Sequence, residues 1–303
     1  TNQQRQHKVH TVLFFIALVA NCGGLLTPLG DPPLFMLFLR GASFVWFESM
    51  LLEWLFTGVL LLLIYFVLDT LHYKKEHWTA LSADYREHVP LKLMGKRNLL
   101  YLLCVVLTVA FVNSGYIPEM AMEDAPFMLK YLREIVLLSL TIMSLSTTKH
   151  EVRYDMNKFS WGPIVEVTVL FLGIFVTMTP ALAYLNDHAS SLGLNGVGQF
   201  YYMTGALSSF LDNTPTAVAF HSVAAGLSPE QMAMFGDSMV AGVPEILLKA
   251  ICMGSVFFGA MTYIGNGPNF MVKAIAEESG VKMPSFFGYM FKFSLIVLLP
   301  VYI

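Results

Sequence analysis

Residues 208 to 220 read SSFLDNTPTAVAF, an apolar run interrupted by Asp212, Asn213, Thr214 and Pro215. A helix can break at membrane depth only where protein encloses the break, because each unpaired amide in hydrocarbon costs several kcal/mol. The interruption therefore marks a cavity. The incoming helix ends near Leu211 with unpaired carbonyls at the negative end of its dipole, and Ser208, Ser209, Asp212, Asn213 and Thr214 add side-chain oxygens. That oxygen set suits sodium or a proton. Thr214 can cap the outgoing helix, and Pro215 suits its first turn. The hydroxyls and Asn213 read equally well as caps for a broken backbone. An unpaired carboxylate such as Asp212 is costlier in a membrane and is rarely kept without a role.

Two further interruptions resemble each other. GNGPNFM from Gly265 nearly copies GDPPLFM from Gly30, with Gly, Pro, Phe and Met recurring at an offset of about 235 positions. Paired Gly/Pro-interrupted apolar segments in two halves of a chain point to a secondary transporter with internal repeats. In NCGGLLTPLGDPP, Asn21 and Thr27 offer neutral oxygens, and Asp31 before Pro32 reads either as a helix cap near the surface or as a ligand. Asn266 and Asn269 play the corresponding part in YIGNGPNFM. Asn21, two positions before Gly23, and Asn266, between Gly265 and Gly267, stand near glycines in mid-membrane, which allows close backbone approach. Glu166 reads as a proton carrier or as a structural carboxylate bonded to hydroxyls. Glu245 and Lys249, four apart on one helix face, are expected to pair. His221 is pH-sensitive if it faces the cavity and a packing residue otherwise.

The elements that position these groups are apolar helices. Hydrophobic residues make up 56% of the 303, charged residues 13%, and mean hydropathy is +0.62, which sets an all-α polytopic membrane protein apart from soluble domains. A net charge of -3 gives no argument for nucleic acid. Cys22, Cys104 and Cys252 lie in apolar segments without metal-ligand spacing and read as packing residues. No Ser/His/Asp or metal constellation stands at catalytic spacing, so no enzyme and no cofactor is expected.

The pattern predicts a helix over 10–29, a half-helix over 34–45 and a span over 46–72, then a polar loop within 73–97. Spans follow over 98–114, 131–147 and 160–185. A re-entrant hairpin enters over 197–211 and leaves over 215–226; a broken helix covers 243–264 and 269–279, and a last span runs from 283. With Lys74, Lys75, Arg86, Lys92, Lys96 and Arg97 facing the cytoplasm, thirteen basic residues fall inside against Arg40, Lys130 and Arg133 outside. The hairpin then opens from outside. Residues 1–72 read as the end of a first repeat and 98–303 as a complete second one, in inverted orientation. The early helices and the first hairpin are expected upstream of Thr1.

LDNTP in a hairpin, NCGGLLTPLGD after a phenylalanine-rich helix and IGNGPNFM near the C-terminus together resemble the ion transporter superfamily, most closely the NhaD-type sodium/proton antiporters. The resemblance covers nearly the whole chain, in order. It implies two inverted repeats, each with a re-entrant hairpin and a discontinuous helix, a homodimer formed by a scaffold part, and residence in the lipid bilayer of a bacterial inner membrane. Carried over, it places Na+ and H+ on Asp212 and Asn213 with Thr214, and adds Asn21 and Asp31. Relatives that carry dicarboxylates resemble a Ser-Asn-Thr turn, whereas Asp212 precedes Asn213 here. An ionised acid there attracts a cation, by about 4 kcal/mol at 4 Å for an effective dielectric constant of 20. Exchange of cytoplasmic Na+ for external H+ by competition at this carboxylate is the expected function. A sodium-coupled citrate or dicarboxylate symporter and a non-transporting membrane scaffold are the alternatives.

Overall fold

A computed structural model describes residues 5–79, 81–82 and 93–303, excluding the side chains of residues 163, 166, 167, 170, 171, 174 and 175. Arg86 and Lys92 of the basic loop and the Glu166 side chain lie outside the described residues. The main helices are α1 (Val9–Leu18), α2 (Pro32–Leu39), α3 (Leu51–Tyr73), α4 (Lys96–Phe111), α5 (Leu132–Thr147), α6 (Gly162–Asp187), α7 (Val197–Ser208), α8 (Asn213–Ala225), α9 (Glu245–Gly259), α10 (Gly267–Glu278) and α11 (Phe286–Tyr302). Met239–Val240 and Val243–Pro244 form a small antiparallel ribbon.

The chain divides into two compact units, Thr1–His88 with Ile174–Ile303, and Val89–Gly173. In the smaller, α4 packs on α5. Asn98 Oδ1 accepts hydrogen bonds from the Ser144 and Thr148 hydroxyls at 3.2 and 2.8 Å, and Arg153 donates to the Leu145 carbonyl. In the larger unit α7 lies along α9, α8 packs on both α2 and α9, and α1 packs on α3 and α10.

At 1.5 Å per residue the 23-residue α3 is roughly 35 Å long, enough to cross a hydrocarbon core of about 30 Å. Leu52, Phe56, Leu63 and Phe66 on it are each more than half exposed, a surface that suits hydrocarbon and not water. Asp69, near its far end, accepts from the His10 ring at 2.9 Å, so this carboxylate is partnered.

The helices at the breaks are half-length: ten residues in α1, eight in α2 and twelve each in α7 and α10. A helix over 10–29 is not what forms. α1 stops at Leu18, and the Asn21 side-chain amide donates to the Ile16 carbonyl at 2.8 Å where the next backbone N–H would have done so. A short 3-10 turn, Cys22–Gly24, follows. Gly24 and Gly30 then press together so closely that a Cβ on Gly30 would lie 2.2 Å from the Gly24 carbonyl oxygen. The second break repeats this contact: a Cβ on Gly265 would lie 2.6 Å from the Gly259 carbonyl oxygen. Both glycine pairs are six residues apart, and each member of the second stands 235 positions after its counterpart. The sequence repeat is thus a repeat of backbone geometry.

Candidate functional site

Three half-helices begin at one place. Their N-cap residues are Asp31 for α2, Asp212 for α8 and Asn266 for α10. An acid or amide at an N-cap normally accepts a bond from its own helix, worth about 1 kcal/mol. Neither Asp31 nor Asn266 does so. Asp31 and Asn266 instead turn toward each other and toward the neighbouring break.

Asp31 is the centre of the network. Its side chain is buried, 4% exposed, and Oδ2 accepts from Asn213 Nδ2 at 2.9 Å while Oδ1 accepts from Asn266 Nδ2 at 3.3 Å. A carboxylate offers about four acceptor positions. Two are filled by protein, which leaves room for a proton or a cation. Asn266 also donates to Asn21 Oδ1 at 3.1 Å, and Asn21 donates to Asn269 Oδ1 at 2.8 Å. Asn269 in turn donates to the carbonyls of Gly259 and Thr262 at 2.8 and 2.9 Å, the open end of α9. One chain of amide hydrogen bonds therefore links the three breaks, with every asparagine in it buried.

The hairpin residues divide by role. Asn213, the first residue of α8, joins the network through Asp31. Asp212 is half-buried and lies within electrostatic range of Asp31. α8 starts one residue before the expected Thr214 cap, so Asp212 takes the cap position and Pro215 becomes its third residue. The Thr214 hydroxyl reaches Asn213 Oδ1 at 3.4 Å. Ser208 donates to the Ser255 carbonyl at 2.7 Å, and Ser209 to those of Gly205 and Phe258 at 2.9 and 3.3 Å. These two serines tie α7 to α9. Thr27 is half-buried, and its carbonyl accepts the Gly30 N–H at 3.0 Å.

Other expectations resolve plainly. Glu245 pairs with Lys249 at 3.6 Å and also accepts from Trp46 Nε1 and the Ser238 hydroxyl, at 3.1 and 2.6 Å. His221 does not face the Asp31 network. Arg40, at the end of α2, donates to His221 Nδ1 at 2.9 Å and to the Ser222 hydroxyl at 3.1 Å. The guanidinium has no acceptor atom, so Nδ1 accepts, and Nε2 carries the proton that it donates to the Ala241 carbonyl at 3.0 Å. α2 is thereby fastened to α8 at both ends. Cys22 and Cys252 are buried and Cys104 half-buried, all as free thiols.

Thr262 escaped sequence reasoning. It is buried, its hydroxyl donates to the Ser209 carbonyl, and the same oxygen accepts the Ile264 and Gly265 N–H groups at 3.3 and 3.1 Å. The signal was present: Thr262 stands 235 positions after Thr27, inside the repeated motif.

No Lys or Arg hydrogen-bonds to any of these site groups among the described residues. The arrangement offers acids, amides and helix-end carbonyls, donors able to hold a small cation or a proton.

A family described as "Putative citrate transport" matches residues 1–303, and its description points to transport and not catalysis. An uncharacterized transporter from Synechocystis sp. is 24% identical over 287 residues, covering 89% of this chain and 61% of that protein. The chain thus spans about three fifths of the length of that curated relative. No solved structure matches it. Matched along its whole length, this all-α polytopic membrane protein belongs to that transport family.

Proposed function

We propose that the protein is a secondary active transporter that exchanges sodium for protons at the shared site of its three helix breaks. One observation carries the proposal: the buried carboxylate of Asp31, held by Asn213 and Asn266, lies within electrostatic range of Asp212, and among the described residues no Lys or Arg is bonded to either. Two acids without a base favour a cation or a proton as the bound species. In this scheme the pair holds sodium or protons in turn, and each occupied form crosses the membrane. Asn21 and Asn269 fix the amide of Asn266, while Ser208, Ser209 and Thr262 hold the backbone of the breaks in place. The same reading carries a homodimer, with the basic loop on the cytoplasmic side of a bacterial inner membrane. In proteoliposomes of the full-length protein carrying a pH gradient, added Na+ should dissipate that gradient, reported by a pH-sensitive dye. A gradient untouched by Na+ refutes the exchange.

A second reading, sodium-coupled symport of citrate or a dicarboxylate, draws support from a different feature. α2, α8 and α10 all present their N-termini to the site, and converging positive helix ends suit an anionic group. The description of the family agrees with it. Accumulation of labelled citrate driven by a Na+ gradient, without proton counterflow, would select this reading over exchange.

A further inference from the structure

The two broken helices carry one repeated face, covered in the second copy and bare in the first. In the second copy α7 lies along α9, and α8 packs on both α9 and α2. Gly254 and Phe258, one turn apart on α9, are buried. A Cβ on Gly254 would lie 2.6 Å from the Tyr201 carbonyl oxygen, and the Phe258 ring meets the Tyr201 ring edge-on with centroids 5.4 Å apart. Tyr201 belongs to α7, so α7 covers this stripe.

The residues 235 positions earlier are Val19 and Gly23, with Phe15 one turn before them as the counterpart of Ala250. Phe15 and Val19 are 47% and 60% exposed against 1% for Ala250, and Gly23 is exposed as well. The half-helices after the breaks differ in the same sense. Met36 on α2, the helix that α8 packs on, is 6% exposed, whereas its counterpart Met271 on α10 is 54% exposed. α1 packs on α10 as α9 packs on α2. Exchanging the two copies therefore maps the seat of α7 and α8 onto the bare residues of α1 and α10.

Lipid does not suffice as the cover. Gly23 stands in the break itself, and an interrupted backbone is not left facing hydrocarbon. We propose that Phe15, Val19, Gly23 and Met271 seat a helical hairpin of this same chain, upstream of Thr1, with two short arms like those of α7 and α8. The Synechocystis relative has room for such a hairpin, since the match leaves about two fifths of that protein outside it. The proposal rests on the repeat of backbone and burial, and it holds whichever solute is carried.

Photo-crosslinking of the full-length protein in lipid nanodiscs tests the seat. With p-benzoylphenylalanine in place of Phe15 or of Met271, irradiation should join the probe to peptides upstream of Thr1, identified by mass spectrometry after digestion. The same probe in place of Phe66, which is 68% exposed on α3, should give at least tenfold less of that product. A second measurement does not depend on the probe. Val19→Trp overpacks a covered position and should lower the unfolding temperature in detergent, while Phe66→Trp should leave it unchanged. Adducts to lipid alone, to a second copy of the chain or to residues 93–173 overturn the proposal. So does a Val19→Trp protein that unfolds at the wild-type temperature.

Discussion

Asp31 and Asn266 hold the same place in two copies of one structural motif, and they are hydrogen-bonded to each other. They stand 235 positions apart. Each heads a half-helix in extended conformation, φ −151° and ψ 139° for Asp31 against φ −152° and ψ 136° for Asn266. Asn266 Nδ2 donates to Asp31 Oδ1 at 3.3 Å. The backbone repeats, but the chemistry does not. One copy supplies an acid and the other an amide that holds it, so the carboxylate is fixed without a second charge in bonding contact.

Removing either amide should therefore weaken ion binding without changing the fold. Asn213→Ala and Asn266→Ala each delete one of the two N–H donors on Asp31, and a bond to a charged group contributes about 1.5–3 kcal/mol. Sodium-dependent proton movement should fall by roughly tenfold or more in each variant, measured against surface expression. Activity retained in both would show that the two amides do not set the acid.

The close glycine contacts make a stability prediction. Gly30→Ala puts a Cβ 2.2 Å from a backbone oxygen, and Gly265→Ala puts one within 2.7 Å of both the Gly259 and Ser208 carbonyls. Overpacking of this kind costs about 1–3 kcal/mol or more. Both variants should lose thermal stability in detergent. Gly58→Ala and Gly173→Ala, where a Cβ meets nothing within 4 Å, should unfold at the wild-type temperature or above it. A reversed order would mean that the breaks are looser than described.

Thr262 and Thr27 occupy equivalent positions but not equivalent surroundings. Thr262→Val breaks the hydroxyl bridge to the Ser209 carbonyl and two N–H groups, at a cost of about 1–3 kcal/mol. Thr27 is half-buried, and Thr27→Val should stay within about 0.5 kcal/mol of wild type. Equal losses from the two substitutions, read in thermal unfolding, would contradict this asymmetry.

The breaks were legible because Gly, Pro, Asp and Asn interrupt apolar runs, and residues that break helices in hydrocarbon have few other uses. The end of α1 was not. After Leu18 the chain continues through Leu25, Leu26 and Leu29, and hydropathy does not register that Asn21 has already replaced the helix bond on Ile16. Asp212 drew attention as the acid of LDNTP, whereas Asp31 before two prolines read equally well as a helix cap or as a ligand. What puts Asp31 at the centre is its bond to Asn213, 182 positions away. The Arg40 to His221 contact spans 181 positions and was equally invisible. Long-range pairings of single polar residues leave no local trace; repeated motifs do, which is how Asn266 and Asn269 were found.

The most direct test is equilibrium binding of radiolabelled Na+ to the purified full-length protein across a range of pH, in wild type and Asp31→Asn. Competition between one sodium and one proton predicts that apparent affinity weakens by up to about tenfold for each unit of acidification, by mass action, and that Asp31→Asn abolishes binding or its pH dependence. Sodium binding that is insensitive to pH in the wild type, or unchanged by Asp31→Asn, would contradict the account.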